Sequence, residues 1–147
     1  MATINGCNIP EDLYYFLDKH VWVKDLGDGT VKVGMTSVAG KLSGGNLTAV
    51  TVKKKKMNTE FAQGKGIGMV ESSKFVGPIP APVSGELIGA NDKLEDNPNL
   101  TISDPYGEGW VALMKPTNWD VEKDGLVTGA DAVAKYQEVV KTEGIEC

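Results

Sequence analysis

Lys74 is the residue in this 147-residue chain with the clearest prospect of chemistry. It closes the polar stretch Glu71-Ser72-Ser73-Lys74, and apolar runs flank it: Gly66-Ile67-Gly68-Met69-Val70 before, Phe75-Val76 after. Two such runs around polar turn-formers predict paired strands with the lysine displayed at the tip, within reach of a modifying enzyme. Most surface lysines only solvate a fold, and the turn alone leaves that reading standing. An ordinary lysine amine, with a pKa near ~10.4, is protonated at neutral pH, so acylating one takes an activated donor and a positioning enzyme. Other reactive groups are scarce. His20 is the sole histidine, and Cys7 and Cys147 make neither a CxxC nor a ligand cluster. A histidine-based metal site or a Ser-His-Asp triad therefore lacks material. Gly64-Lys65-Gly66-Ile67-Gly68 has neither the strand–turn–helix context nor the trailing glycine of a dinucleotide fingerprint. With no acid–base pair or nucleophile cluster, an independent enzyme is the weakest reading.

The composition sets the frame for that lysine. Hydrophobic residues make up 41% and charged residues 24%, values of a globular chain with a core of its own. Fifteen basic against twenty acidic side chains give a net charge of −5, which disfavours nucleic acid as a partner. No apolar run approaches the ~20 residues of a membrane span. The opening residues lack the basic and apolar regions of a secretory signal, so a cytoplasmic location is expected, with no membrane partner.

Eighteen glycines and seven prolines predict many turns, hence short strands. Pro10 followed by Glu11-Asp12 predicts a helical turn opening the stretch to Leu17. Val21-Trp22-Val23-Lys24 and Thr30-Val31-Lys32-Val33 around Leu26-Gly27-Asp28-Gly29 predict a hairpin, the strongest local signal. A helical turn is expected within residues 37–45 and strands at residues 47–52, 83–88 and 110–114. Residues 91–109 read as loop. Thr128 with Asp131 three residues on reads as a capping box for a C-terminal helix over about 128–143. Ala132, Val133, Tyr136, Val139 and Val140 recur along it at helical spacing, and Gly144 is the expected stop. The whole chain reads as one domain.

Several blocks together resemble the glycine-cleavage H proteins. Val70-Glu71-Ser72-Ser73-Lys74 followed by Ala81-Pro82-Val83-Ser84-Gly85-Glu86 is similar to that family's lipoylation region. The early His20-Val21-Trp22, the stretch Asn91-Asp92-Lys93-Leu94-Glu95-Asp96-Asn97-Pro98-Asn99-Leu100 and the later Ser103-Asp104-Pro105-Tyr106-Gly107-Glu108-Gly109-Trp110 continue the likeness in the family's order. The resemblance runs from about Pro10 to Met114. It implies a mainly β fold, a flattened β-sandwich or barrel-sandwich hybrid with short helices and a C-terminal helix, which agrees with the strand pattern. It also implies lipoic acid carried covalently on Lys74, with Glu71 and Gly85 helping a lipoate-protein ligase or lipoyl transferase recognise the hairpin. His20 would line a groove for the arm, against the plainer reading of a packed or hydrogen-bonded residue. Biotin carriers prefer methionines beside their lysine and 2-oxo-acid dehydrogenase carriers an Asp-Lys-Ala tip; Ser73 and Phe75 fit neither. A lipoyl dithiol works by thiol–disulfide exchange, and tethering raises its effective concentration at a partner's site.

The chain departs from that family at identifiable places. Val21 follows His20 where H proteins usually carry Glu. Residues 53–56 are four lysines where an acidic turn is usual, and Gly77-Pro78-Ile79-Pro80 holds two prolines. These departures resemble a second branch, the H-protein-like lipoate-binding proteins of sulfur-oxidising prokaryotes. That branch implies a sulfur-bound cargo and a heterodisulfide-reductase-like complex as partner. The alternative is an aminomethyl cargo shared with glycine decarboxylase, aminomethyltransferase and dihydrolipoamide dehydrogenase. A third reading, from another class, is a non-lipoylated interaction module. The four lysines read either as a solvated edge that blocks strand aggregation or as a dock for an acidic partner. Cys7 and Cys147 are expected as free thiols, as befits a reducing cytosol, with a redox or sulfur-relay role as the alternative reading.

Overall fold

The computed structural model describes residues 2–147. Its strands are β1 (Ala2–Ile4), β2 (Cys7–Ile9), β3 (Tyr14–Phe16), β4 (Val21–Asp25), β5 (Val31–Met35), β6 (Leu47–Val52), β7 (Glu60–Phe61), β8 (Gly66–Ser72), β9 (Val76–Pro80), β10 (Gly85–Ala90), β11 (Ala112–Pro116) and β12 (Val127–Thr128). Five α-helices punctuate them: α1 (Ser37–Leu42), α2 (Lys93–Asp96), α3 (Leu100–Ser103), α4 (Trp119–Glu122) and α5 (Gly129–Glu143). A seven-stranded sheet runs β12-β3-β4-β5-β11-β10-β7, a three-stranded sheet β6-β8-β9, and β1 pairs with β2 alone. Neighbours pair antiparallel, as short connections require. The result is a flattened, sandwich-like, mainly β fold with a C-terminal helix, as the sequence predicts.

Period-2 alternation in β3 and β4 divides the core. Val21 and Val23 join Val31, Val33, Val50, Ile67, Val70 and Ile79 in a cluster that unites residues of both larger sheets. Trp22 and Tyr15 point the other way, into a second cluster with Cys7, Ile9, Leu13, Val38, Ala132, Tyr136 and Val140. The expected apolar stripe of α5 thus covers the outer face of β3 and β4, and Gly144 ends the helix in the left-handed conformation, φ 65°. The hairpin across residues 26–29 closes with Leu26 N–H donating to the Thr30 carbonyl, 3.1 Å.

Four expectations need correction. The stretch after Pro10 opens with no α-helix: β3 forms there and pairs with β4, because burying Tyr15 in a sheet outweighs a short helical turn. Thr128 is the N-cap of α5, but its hydroxyl donates to the Leu13 carbonyl (2.7 Å) instead of capping the helix, so no capping box forms with Asp131. Residues 91–109 hold α2 and α3, with Leu94 and Thr101 buried, and Asn91 Nδ2 donates to the Glu108 and Trp110 carbonyls. Cys7 and Cys147 are not free thiols but a disulfide, Cα–Cα 4.9 Å, across a sequence separation of 140. Asn5 and Gly6, both at positive φ, turn the β1–β2 hairpin, and α5 brings the C-terminus back to it. Cys147 N–H then donates to the Asn5 carbonyl, 2.9 Å.

Candidate functional site

Lys74 sits in the turn joining β8 to β9, where the sequence puts it. Ser72 builds that turn: its N–H donates to the Phe75 carbonyl (2.7 Å), and its hydroxyl oxygen accepts from the N–H groups of Lys74 (3.3 Å) and Phe75 (3.0 Å). A serine side chain standing in for a backbone acceptor makes the tip rigid without touching the lysine amine. Among the described residues no carboxylate forms an ion pair with Lys74, in contrast to Lys54, Lys93 and Lys123. The aliphatic stem lies against Gly44: a Cβ there would come within 3.1 Å of Lys74 Cδ. Leu42, Phe75 and Val76, all exposed, put apolar surface around it.

Beside the tip lies a cleft of about 340 Å³. The β8–β9 hairpin contributes Val70, Phe75, Pro78, Ile79 and Pro80; α1 and the residue after it contribute Ala39, Leu42 and Ser43; β4, β5 and the turn before β4 contribute Val21, Met35 and His20. His20 lines this cleft and is hydrogen-bonded as well, with Nδ1 3.3 Å from the Tyr136 hydroxyl. Its backbone is left-handed, φ 57°, closing the 3-10 turn Leu17–Lys19. Burial lowers the imidazole pKa below the usual histidine value, only partly opposed by the Glu143 and Asp18 carboxylates. Burial also raises the pKa of the Tyr136 phenol, opposing its ionisation.

Glu71 and Gly85 lie differently. Glu71 is exposed in β8, three residues before the lysine, opposite Val76. Gly85 opens β10: β9 runs from Val76 beside Glu71 to Pro80 opposite Gly66, and Gly85 follows that end of the hairpin after residues 81–84. There it pairs with Phe61 and Pro116, and a Cβ would come within 2.3 Å of the Lys115 carbonyl oxygen. This close packing favours glycine at 85. The sequence reading missed the apolar collar and α1's share of the cleft; Leu42 carried no local signal, because its neighbours across the cleft are far away in the chain.

An exposed, unpaired lysine on a rigid tip beside a largely apolar cleft suits a long apolar acyl arm. The glycine cleavage H-protein family model matches residues 13–140. Glycine cleavage system H protein 2 of Aquifex aeolicus is 42% identical over 97% of this chain and 86% of its own length. Probable glycine cleavage system H protein 2 of Sulfurisphaera tokodaii is 41% identical over 100% of this chain and 98% of its own. The crystal structure of a glycine cleavage system H protein from Mycobacterium marinum matches with a TM-score of 0.72 and 31% identity, covering 93% of this chain and 100% of that one. The chain belongs to the glycine cleavage H-protein family, lipoyl carriers that bear lipoic acid covalently on a lysine and are not themselves enzymes.

Proposed function

We propose that Lys74 is the lipoylated residue, that residues 1–147 form one carrier domain, and that the chain serves a glycine-cleavage-type system. The observation that carries this reading is the Ser72-braced tip holding an unpaired lysine next to Phe75, which lines the cleft. A lipoate-protein ligase or lipoyl transferase meets the turn with Glu71 exposed beside it, while Gly85 keeps β10 and β11 in register behind it. The bound group supplies a dithiolane that opens to a dithiol and exchanges with partner sulfur. The chain's own residues do the rest. Val70, Phe75, Pro78 and Ile79 offer the arm an apolar wall that excludes water, and the neutral His20 presents a polar edge fixed by Tyr136. The named relatives support glycine decarboxylase, aminomethyltransferase and dihydrolipoamide dehydrogenase as the partners. Among the described residues no helix is long and apolar enough to cross a membrane.

One observation favours the sulfur cargo and the heterodisulfide-reductase-like partner as a second reading. Val21, at the position where H proteins usually carry Glu, lines the cleft together with Pro78 and Pro80. An aminomethyl cargo brings an ammonium that gains from a nearby carboxylate, whereas a sulfur cargo makes no such demand; with Val21 in that position, Asp18 is the carboxylate left on the cleft wall.

Intact-protein mass spectrometry after co-expression with a lipoate ligase and lipoate tests the attachment: one lipoyl increment mapped to Lys74 is expected. An unmodified chain would leave the interaction module. The lipoylated chain, mixed with the three glycine-cleavage partners, should then support glycine-dependent CO2 release. Full lipoylation without that release overturns the glycine reading and leaves the sulfur cargo.

A further inference from the structure

The disulfide is unlike the rest of the second core cluster, because its two halves have opposite environments. Cys7 is fully buried among Ile9, Leu13, Tyr15 and Val38, whereas Cys147 is exposed at the chain end, its Sγ 3.8 Å from the Ser37 carbonyl oxygen. Ser37 begins α1, and Gly44, just past the end of α1, abuts the Lys74 stem. About 10 Å of chain along that short helix separates the two places. Beyond Gly144 the tail has few other anchors. Ile145 is buried with its N–H on the Val140 carbonyl (3.0 Å), Asn5 Nδ2 donates to the Ile145 carbonyl (3.4 Å), and Cys147 N–H reaches the Asn5 carbonyl (2.9 Å).

We propose that the Cys7–Cys147 cystine is a second redox centre of the chain, opened by a dihydrolipoyl dithiol, and that its opening releases the C-terminal tail. One thiolate of the dithiol attacks the sulfur of Cys147, the exposed residue of the pair, forming a mixed disulfide, and the S–S bond to Cys7 breaks. Cys7 leaves with the electron pair and takes up a proton. The second thiol of the donor, losing its proton, attacks the donor sulfur of the mixed disulfide, closing a dithiolane and freeing Cys147. Two electrons and two protons pass from dithiol to cystine. The core accommodates the product, since a neutral buried thiol behaves as a small apolar side chain. The tail does not: without the covalent link, two backbone hydrogen bonds, one from the Asn5 side chain and the buried Ile145 hold residues 145–147, and such a segment opens locally.

The reductant's identity rests on the chain's being a lipoyl carrier; the centre itself does not rest on Lys74. The test therefore uses the full chain carrying Lys74→Arg, oxidised, with free dihydrolipoamide as reductant. Thiols are trapped with iodoacetamide under native conditions, and hydrogen exchange is followed over residues 140–147. One carbamidomethyl group added to Cys147 under native conditions, with the buried Cys7 taking the label only after denaturation and tail exchange accelerated ~10-fold or more, is the expected result. Alkylation of Cys147 only after denaturation overturns the proposal, and so does reduction that leaves tail exchange unchanged. A Cys147→Ser chain should exchange in the tail like the reduced chain; exchange as slow as in the oxidised chain would show that the link does not hold the tail. Failure here leaves lipoylation of Lys74 in the unsubstituted chain untouched, because the substituted chain carries no arm at that position.

Discussion

The three-stranded sheet has a lysine-bearing turn at each end, and the two are built to opposite purposes. At one end the Lys54–Lys56 3-10 turn leads out of β6, with Lys54 held by both Asp92 and Glu95. At the other, Lys74 projects from the β8–β9 turn without an ion-pair partner among the described residues, its backbone locked by the Ser72 side chain. Four lysines in a row make the first turn conspicuous in the sequence, yet its backbone would serve as well with one. The second turn has a single lysine, and everything around it fixes where that lysine points. The lysine proposed for lipoylation is set apart by a hydrogen-bonded tip, an amine without an ion pair among the described residues and a cleft alongside, and charge density marks the other end.

Removing the amine at the second turn breaks this comparison most completely. Lys74→Arg keeps the charge and the turn but offers no primary amine, so lipoylation should fall from complete to none while the melting curve is unchanged. Residual lipoylation after this substitution, moved to residues 53–56, would reverse the assignment of the two ends. Gly85→Ala attacks the scaffold behind the tip. Its Cβ meets the Lys115 carbonyl oxygen within 2.3 Å, and a loss of about 1–3 kcal/mol in urea denaturation is expected, with the fraction still folded remaining a lipoylation substrate. Normal stability with abolished lipoylation would instead make Gly85 a contact of the modifying enzyme.

Ser72→Ala sharpens the contrast at smaller scale. It removes the acceptor for two backbone N–H groups at an exposed turn, which should cost about 1 kcal/mol or less and slow modification by loosening the tip. His20 supplies a pH signature from the cleft. Its folded pKa lies below the unfolded value, so as pH falls through about 6.5 the unfolded chain takes up the proton first. Its contribution to stability is thus present above that pH and lost as pH falls toward the folded pKa. Melting temperatures of the unsubstituted chain and His20→Gln, compared between pH 7.5 and 5, should show the unsubstituted chain falling more steeply; parallel curves would mean that His20 is not buried neutral.

Much of this arrangement is legible from the residues because it is local. The hairpin around Gly27 and Asp28, strand β6, the Lys74 turn and the stripe of α5 all follow from period and turn chemistry within a dozen positions. Asn5-Gly6 carries the same kind of signal, and recognising it would have placed Cys7 in a hairpin strand. What period cannot give is contact across the chain. Cys147 meets Cys7, Thr128 gives its hydroxyl to Leu13, and Tyr136 meets His20 only because α5 folds back over β3 and β4. The cleft is of that non-local kind too, assembled from the hairpin, α1 and β4. The lysine was therefore readable, and the walls of its cleft were not.

Lys54→Ala probes the opposite end, where the smallest effect is expected. The ion pairs to Asp92 and Glu95 are exposed, and these carboxylates hold the Lys54 ammonium pKa above the ordinary lysine value. Exposed pairs lose most of their Coulomb attraction to water, and salt screens the remainder. The substitution should leave lipoylation intact and shift the melting temperature only slightly, with the shift vanishing at high salt. Replacing Lys53, Lys55 and Lys56 with serine as well then separates a solvated edge from a dock. If these lysines only keep the edge of β6 in water, binding of the carrier to its partners is unchanged and solubility alone declines. Weaker binding that has lost its salt dependence would instead assign this end of the sheet to an acidic partner, making both lysine turns functional, one through its amine and the other through its field.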